Sequence, residues 1–162
     1  RTLNHVGVSP ERLHIEFMSG SEANVYAEGL NAFVKKVKEL GPLGAGEGLS
    51  AEGLKFKLDA VTKLIPYIRL VERERLRVSF KTEEEVNAYF AGEEADRLFD
   101  ELIVEKLAIG QITSLLREKP LSTGEIAEIL GLSPSEVSRH LGSSSRYGLV
   151  RYDEGLKRFK AA

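Results

Sequence analysis

The apolar positions are most sharply patterned over residues 121–150, where two short helical stripes flank a glycine. Ile126, Ala127, Ile129 and Leu130 follow Ser122 and Thr123, which suit a helix N-cap. Gly131 predicts a tight turn. Ser133 then caps a second helix, and Pro134 takes its first position, where a missing N–H costs nothing. Leu149, Val150 and Tyr152 lead into Asp153-Glu154-Gly155, and Leu156 and Phe159 follow, which predicts a hairpin. Helix, glycine turn, helix and hairpin together predict a winged helix-turn-helix over residues 105–162.

At the other end, residues 1–6 read as the tail of a helix, and Ser9-Pro10-Glu11 as a loop. Leu13, Ile15 and Phe17 alternate with His14, Glu16 and Met18, the period of a strand. Ser19-Gly20-Ser21-Glu22 matches a capping box and opens a helix to about Leu40. Ala23, Tyr26, Leu30, Phe33, Val37 and Leu40 form its apolar stripe, and Gly41-Pro42 stops it. A strand followed by an amphipathic helix is half of an α/β unit, so the strand's partners are expected upstream of Arg1 or in another chain.

The glycine-rich run 42–50 predicts a linker. Ser50 caps a helix bearing Leu54, Leu58, Val61, Ile65 and Ile68, which Pro66 is expected to kink or divide. Leu76, Val78 and Phe80 predict a short strand. Thr82 and Glu85 predict a capped helix that Ala91-Gly92 breaks. Leu98, Leu102, Leu107, Ile109, Ile112 and Leu116 predict a helix over 93–117, bent at Gly110. The fold class is mainly α with a little β. A strand–helix remnant of an α/β domain covers 1–41, a linker and helical segment 42–104, and the winged helix 105–162.

Composition narrows the chemistry. No apolar run approaches the roughly 20 residues that span a bilayer, and no signal peptide is visible, so a cytoplasmic chain without a membrane partner is expected. The chain has no cysteine, which excludes disulfides and thiolate-held metal within it. It begins at Arg1 and not at methionine, which predicts a piece of a longer protein. A net charge of −2 argues against a generic polyanion binder. Residues 105–162 carry nine Lys/Arg against seven Asp/Glu, whereas 42–104 carry nine against thirteen, so the winged helix is the most basic part.

No Ser/His/Asp set, paired catalytic carboxylate or phosphate-binding loop is present. His5, His14 and His140 read as ordinary surface or half-buried side chains, with His14 on a strand face opposite Ile15. The acidic runs Glu83-Glu84-Glu85 and Glu93-Glu94-Asp96 read as helix-capping charge. Ser19, Ser21 and Glu22 open a helix after a strand and are kept as a contact candidate for a protein partner.

The run GVSPERLHIEFMSGSEANVYAEGLNAFVKKVKELGP resembles the end of the methyl-viologen-reducing hydrogenase delta subunit domain. Gly7, Pro10-Glu11-Arg12, Ser19, Ser21-Glu22 and Leu40-Gly41-Pro42 sit at the family's places. The resemblance implies the C-terminal part of an iron–sulfur electron carrier that links a hydrogenase or formate dehydrogenase to a heterodisulfide-reductase-like complex. The cluster would sit on upstream cysteines, so no cofactor is expected in this chain, and its partners would be redox subunits.

A second resemblance, to winged-helix regulators, rests on Ser135, Val137 to Leu141 and Tyr147-Gly148-Leu149-Val150. If the second helix enters a major groove, Ser135, Glu136, Ser138 and Arg139 face bases, and Arg146, Arg151, Lys157 and Arg158 touch phosphates. Ser144 replaces the second core leucine of that pattern. With Gly142-Ser143-Ser144-Ser145, this predicts a recognition helix ending near Leu141. The favoured expectation is therefore an electron-transfer accessory subunit with the winged helix as a docking module. The alternative is a DNA-binding regulator, dimerised through the N-terminal strand or the central helices.

Overall fold

A computed structural model of the chain describes residues 1–17, 19, 23–75, 79 and 81–162. The chain divides into two compact units, Arg1–Asp59 and Ala60–Ala162. The described residues are mainly helical, with one two-stranded antiparallel sheet.

The first unit holds α1 (Thr2–His5), a 3-10 turn at Pro10–Arg12, α2 (Ala23–Leu40), a second 3-10 turn at Ala45–Glu47, and the start of α3 (Ala51–Arg75). The segment 13–17 lies in no strand, contrary to the expectation from its alternation. A strand needs a neighbour for its N–H and C=O groups, and none of the described residues pairs with it as a strand. Leu13, Ile15 and Phe17 are 63%, 70% and 95% exposed. The polar side of the segment instead meets α2. His14 stacks on Phe33 with ring centroids 5.5 Å apart. Its Nε2 lies 3.2 Å from the Glu16 carboxylate. Glu22 of the capping box that starts at Ser19, and the strand at Leu76, Val78 and Phe80, lie outside the described residues.

Residues 42–50 are a built corner and not a plain linker. Arg12 donates to the carbonyls of Leu40 (3.1 Å), Gly41 (2.9 Å) and Pro42 (3.4 Å), capping the C-terminus of α2. The same guanidinium meets the Glu47 carboxylate at 2.5 and 3.2 Å. Glu47 also accepts from the backbone N–H groups of Gly44 (2.8 Å) and Ser9 (3.3 Å). Gly44 has φ +83°, and a Cβ on Gly46 would stand 1.9 Å from the Leu40 carbonyl, so both positions require glycine. The composition that suggested a flexible tether is thus what a tight corner demands.

In the second unit α3 runs through Pro66 undivided, because helical residues on both sides carry it across the one missing N–H. Next comes α4 (Glu83–Phe90). Thr82 Oγ accepts from the Glu85 N–H at 3.2 Å, and the Glu85 carboxylate accepts from the Lys81 N–H at 2.9 Å. Then come α5 (Glu93–Phe99), a π-helical turn at Asp100–Val104 and α6 (Glu105–Glu118). The irregularity expected at Gly110 falls instead at 100–104, where the wider turn leaves both Ile103 and Leu107 buried.

The winged helix follows: α7 (Thr123–Leu130), α8 (Pro134–Arg146), β1 (Val150–Asp153) and β2 (Arg158–Ala161). The strands pair with Val150 opposite Ala161 and Tyr152 opposite Phe159. Leu121 adds a third rung, exchanging backbone hydrogen bonds with Phe159 at 3.0 and 2.8 Å. α6 packs on α8, β2 and α7, and α8 packs on α7 and β1. Leu107, Ile112, Leu121, Ile126, Val137, Leu141 and Val150 form the buried core of this domain.

Candidate nucleic-acid interface

Local chemistry sets up the two central helices. Ser122 Oγ accepts from the Glu125 N–H at 3.3 Å, and the Glu125 carboxylate accepts from the Ser122 N–H at 2.8 Å. Ser133 and Glu136 repeat this box at 3.2 and 2.9 Å. These bonds hold the carboxyls of Glu125 and Glu136 below their ordinary range, the Ser122 N–H and the Ser133 hydroxyl being the largest causes. Gly131 at φ +68° ends α7, and the Leu132 N–H reaches the Ala127 carbonyl at 3.0 Å.

α8 extends to Arg146, beyond the end near Leu141 that its glycine and serines predict. It closes on Gly148 at φ +67°, with the Gly148 N–H bonded to Ser145 O (3.0 Å) and the Leu149 N–H to Ser144 O (2.9 Å). This is a Schellman closure, and it gives the last turn's carbonyls the partners they need. Ser144 stays on the buried stripe with Val137, His140 and Leu141. A small side chain there lets the helix lie close, where the expected leucine would demand more room.

His140 is buried, not superficial: it is 4% exposed and Ser144 is 0% exposed. His140 Nδ1 and Ser144 Oγ have no hydrogen-bond partner among the described residues. Burial lowers the His140 pKa and Arg139 adds to the shift, against opposing pulls from Glu105 and Glu136. Glu136 stands one helical turn before His140, but its carboxylate is already engaged by Ser133.

With that stripe inward, Ser135, Ser138, Arg139, Gly142 and Arg146 share the exposed face of α8. Their spacing of three, four and seven residues puts them on one side of a 3.6-residue helix. Arg151 on β1 and Lys157 in the hairpin turn are exposed on the wing, Lys157 at φ +51°. Lys160 is paired with Asp153 across the hairpin and holds its carboxyl down.

Two further predicted contacts are engaged within the domain. Glu136 closes the N-terminus of α8. Arg158 is half-exposed: it donates to the Pro120 carbonyl at 3.2 Å and pairs with Glu125 at 3.0 Å, tying β2 to the start of α7. An exposed aromatic stands beside this face without having been expected there. Tyr147, 75% exposed, follows Arg146 at the end of α8, and its signal was an aromatic directly before the closing glycine. In the other unit, Ser19 is exposed, and Ser21 and Glu22 lie outside the described residues.

Among the described residues no group of three or more His, Asp or Glu is placed to hold a metal ion. No described helix is long and apolar enough to cross a membrane. Neither curated proteins nor solved structures yield a match to the chain. Nothing in these comparisons supports the hydrogenase delta subunit resemblance of residues 1–42, which rests on its own motif residues. Residues 111–152, from α6 through β1, match the family model described as bacterial regulatory protein, arsR family, which supports the winged helix and favours the regulator over the electron carrier.

Proposed function

We propose that the chain is a DNA-binding regulator that reads duplex DNA with α8 and steadies itself on the backbone with the wing. The observation that carries this reading is the division of α8. Its inward face is closed by Val137, Leu141 and Ser144, and its outward face offers Ser135, Ser138, Arg139 and Arg146. In this reading Arg139 reads a guanine edge, Ser135 and Ser138 meet base or phosphate oxygens, and Arg146, Arg151 and Lys157 neutralise phosphates. Glu136 and Arg158 shape the domain. The regulator acts in the cytoplasm as a homodimer, joined through the 13–17 segment or the central helices, so that two recognition helices meet successive major grooves.

The modest charge sets the expectation for binding. Three phosphate contacts from each copy, six for the dimer, give a salt slope of roughly −5. The test is selection of a preferred sequence from random duplex DNA, followed by fluorescence anisotropy across a salt series. Enrichment of a two-fold repeat bound with that slope is expected. Failure to bind any duplex even at low salt would remove the reading.

A second reading remains for the N-terminal unit, as the end of an electron-transfer subunit. It is favoured by one observation: Arg12 joins the motifs Pro10-Glu11-Arg12 and Leu40-Gly41-Pro42 that carry that resemblance. Co-purification of the chain with a hydrogenase or heterodisulfide-reductase-like complex tests it.

A further inference from the structure

A groove of about 420 Å³ runs between α3 and α6 in the second unit. We propose that it binds an elongated organic anion, a hydrocarbon or aromatic body bearing carboxylate or phosphate groups. The walls are two helix faces at helical spacing: Lys63, Leu64 and Tyr67 from α3, and Lys106, Gly110 and Arg117 among the α6 residues. Leu64 and Tyr67, with Leu149, supply apolar surface. Lys63, Lys106 and Arg117 supply the charge, and none of the three is paired with a carboxylate among the described residues.

That combination selects the ligand class. Three cations without a carboxylate partner among the described residues favour an anion, and an apolar wall of this volume favours one with a substantial body. Lys106 and Arg117 stand eleven residues apart on one helix face, roughly 16 Å at 1.5 Å per residue. Charge at both ends of the groove therefore favours an elongated ligand with anionic groups at its two ends. Gly110 lies between them with open space where a Cβ would project. An occupant would also touch Leu149, whose N–H closes the last turn of α8. The site does not depend on DNA being the protein's target.

Decanedioate is the probe, with decane-1,10-diol as its neutral counterpart, followed by calorimetry and by NMR shifts of Ile109, Gly110 and Leu149. Saturable binding of the diacid is expected, about tenfold tighter than the diol, with shifts confined to the groove. Gly110→Leu fills the space on a helix that tolerates leucine well and should abolish binding while leaving the melting curve cooperative. Lys106→Gln with Arg117→Gln should weaken diacid binding about tenfold and leave diol binding unchanged. No saturable binding to the intact chain, equal binding of diol and diacid, or binding unaffected by both variants overturns the proposal.

Discussion

His140 and Ser144 stand one turn apart on the buried face of α8, and neither His140 Nδ1 nor Ser144 Oγ finds a hydrogen-bond partner among the described residues. Two polar groups thus occupy a seam otherwise sealed by Val137 and Leu141. A buried hydroxyl without a partner carries a desolvation cost, so Ser144→Ala should be neutral or stabilising by up to about 1 kcal/mol. Ser144→Leu restores the residue that the regulator pattern expects, and should instead destabilise by about 1–3 kcal/mol through overpacking. Urea unfolding of the two variants checks both signs.

The same histidine should make the domain acid-sensitive. Burial lowers its pKa from 6.5, so the unfolded chain takes up the proton first as pH falls. The stability contributed by neutral His140 is present above pH 6.5 and declines below it. Urea midpoints at pH 7.5 and pH 5.5 should differ more for the wild-type chain than for His140→Gln. Equal pH sensitivity in both would refute this role.

Arginines on the two sides of the domain should fail differently. Arg146→Ala removes one phosphate contact from each copy of the dimer and should reduce the salt slope of DNA binding by about 2, with stability unchanged. Arg139→Ala should cost about 1–3 kcal/mol on the preferred site and relax its sequence. Arg158→Ala should lower the melting temperature and leave the salt slope intact, because its charge is spent on Glu125 and the Pro120 carbonyl. A salt slope lowered by Arg158→Ala would place that residue on DNA after all.

Gly142 lies on the exposed face of α8, with open space to 4 Å around the point where a Cβ would project. Gly142→Ala should therefore stabilise the domain by about 0.5–1 kcal/mol through helix propensity. If α8 lies deep in a groove, the same methyl should weaken DNA binding. Thermal melting and anisotropy on one preparation separate the two effects.

The corner around Glu47 should respond to strong acid only. Its carboxyl is lowered from 4.5 to about 2, chiefly by its hydrogen bond to Arg12. The native state holds the ionised form, so this contribution is full above pH 4.5 and is lost as pH falls towards about 2. Glu47→Gln should remove that acid transition and weaken amide protection at Gly44 and Ser9, as hydrogen exchange would show.

The winged helix was legible element by element because its signals are local. The caps at Ser122 and Ser133, the turn at Gly131 and the hairpin each act within a few positions, so periodicity and capping chemistry determined the elements and their order. The exposed face of α8 followed from the same periodicity. Tertiary structure decided what each polar side chain is used for. Arg158 and Arg146 are alike in sequence, yet one braces α7 from β2 and the other faces outward. Gly142 to Ser145 are poor helix formers, yet α8 continues, because packing on α6 and the closure at Gly148 outweigh propensity. The run 42–50 was a linker by composition and became a corner, because Arg12, some thirty residues earlier, binds Glu47 and the end of α2. Those partners meet only when the chain folds back, and spacing along the sequence carries no trace of that meeting.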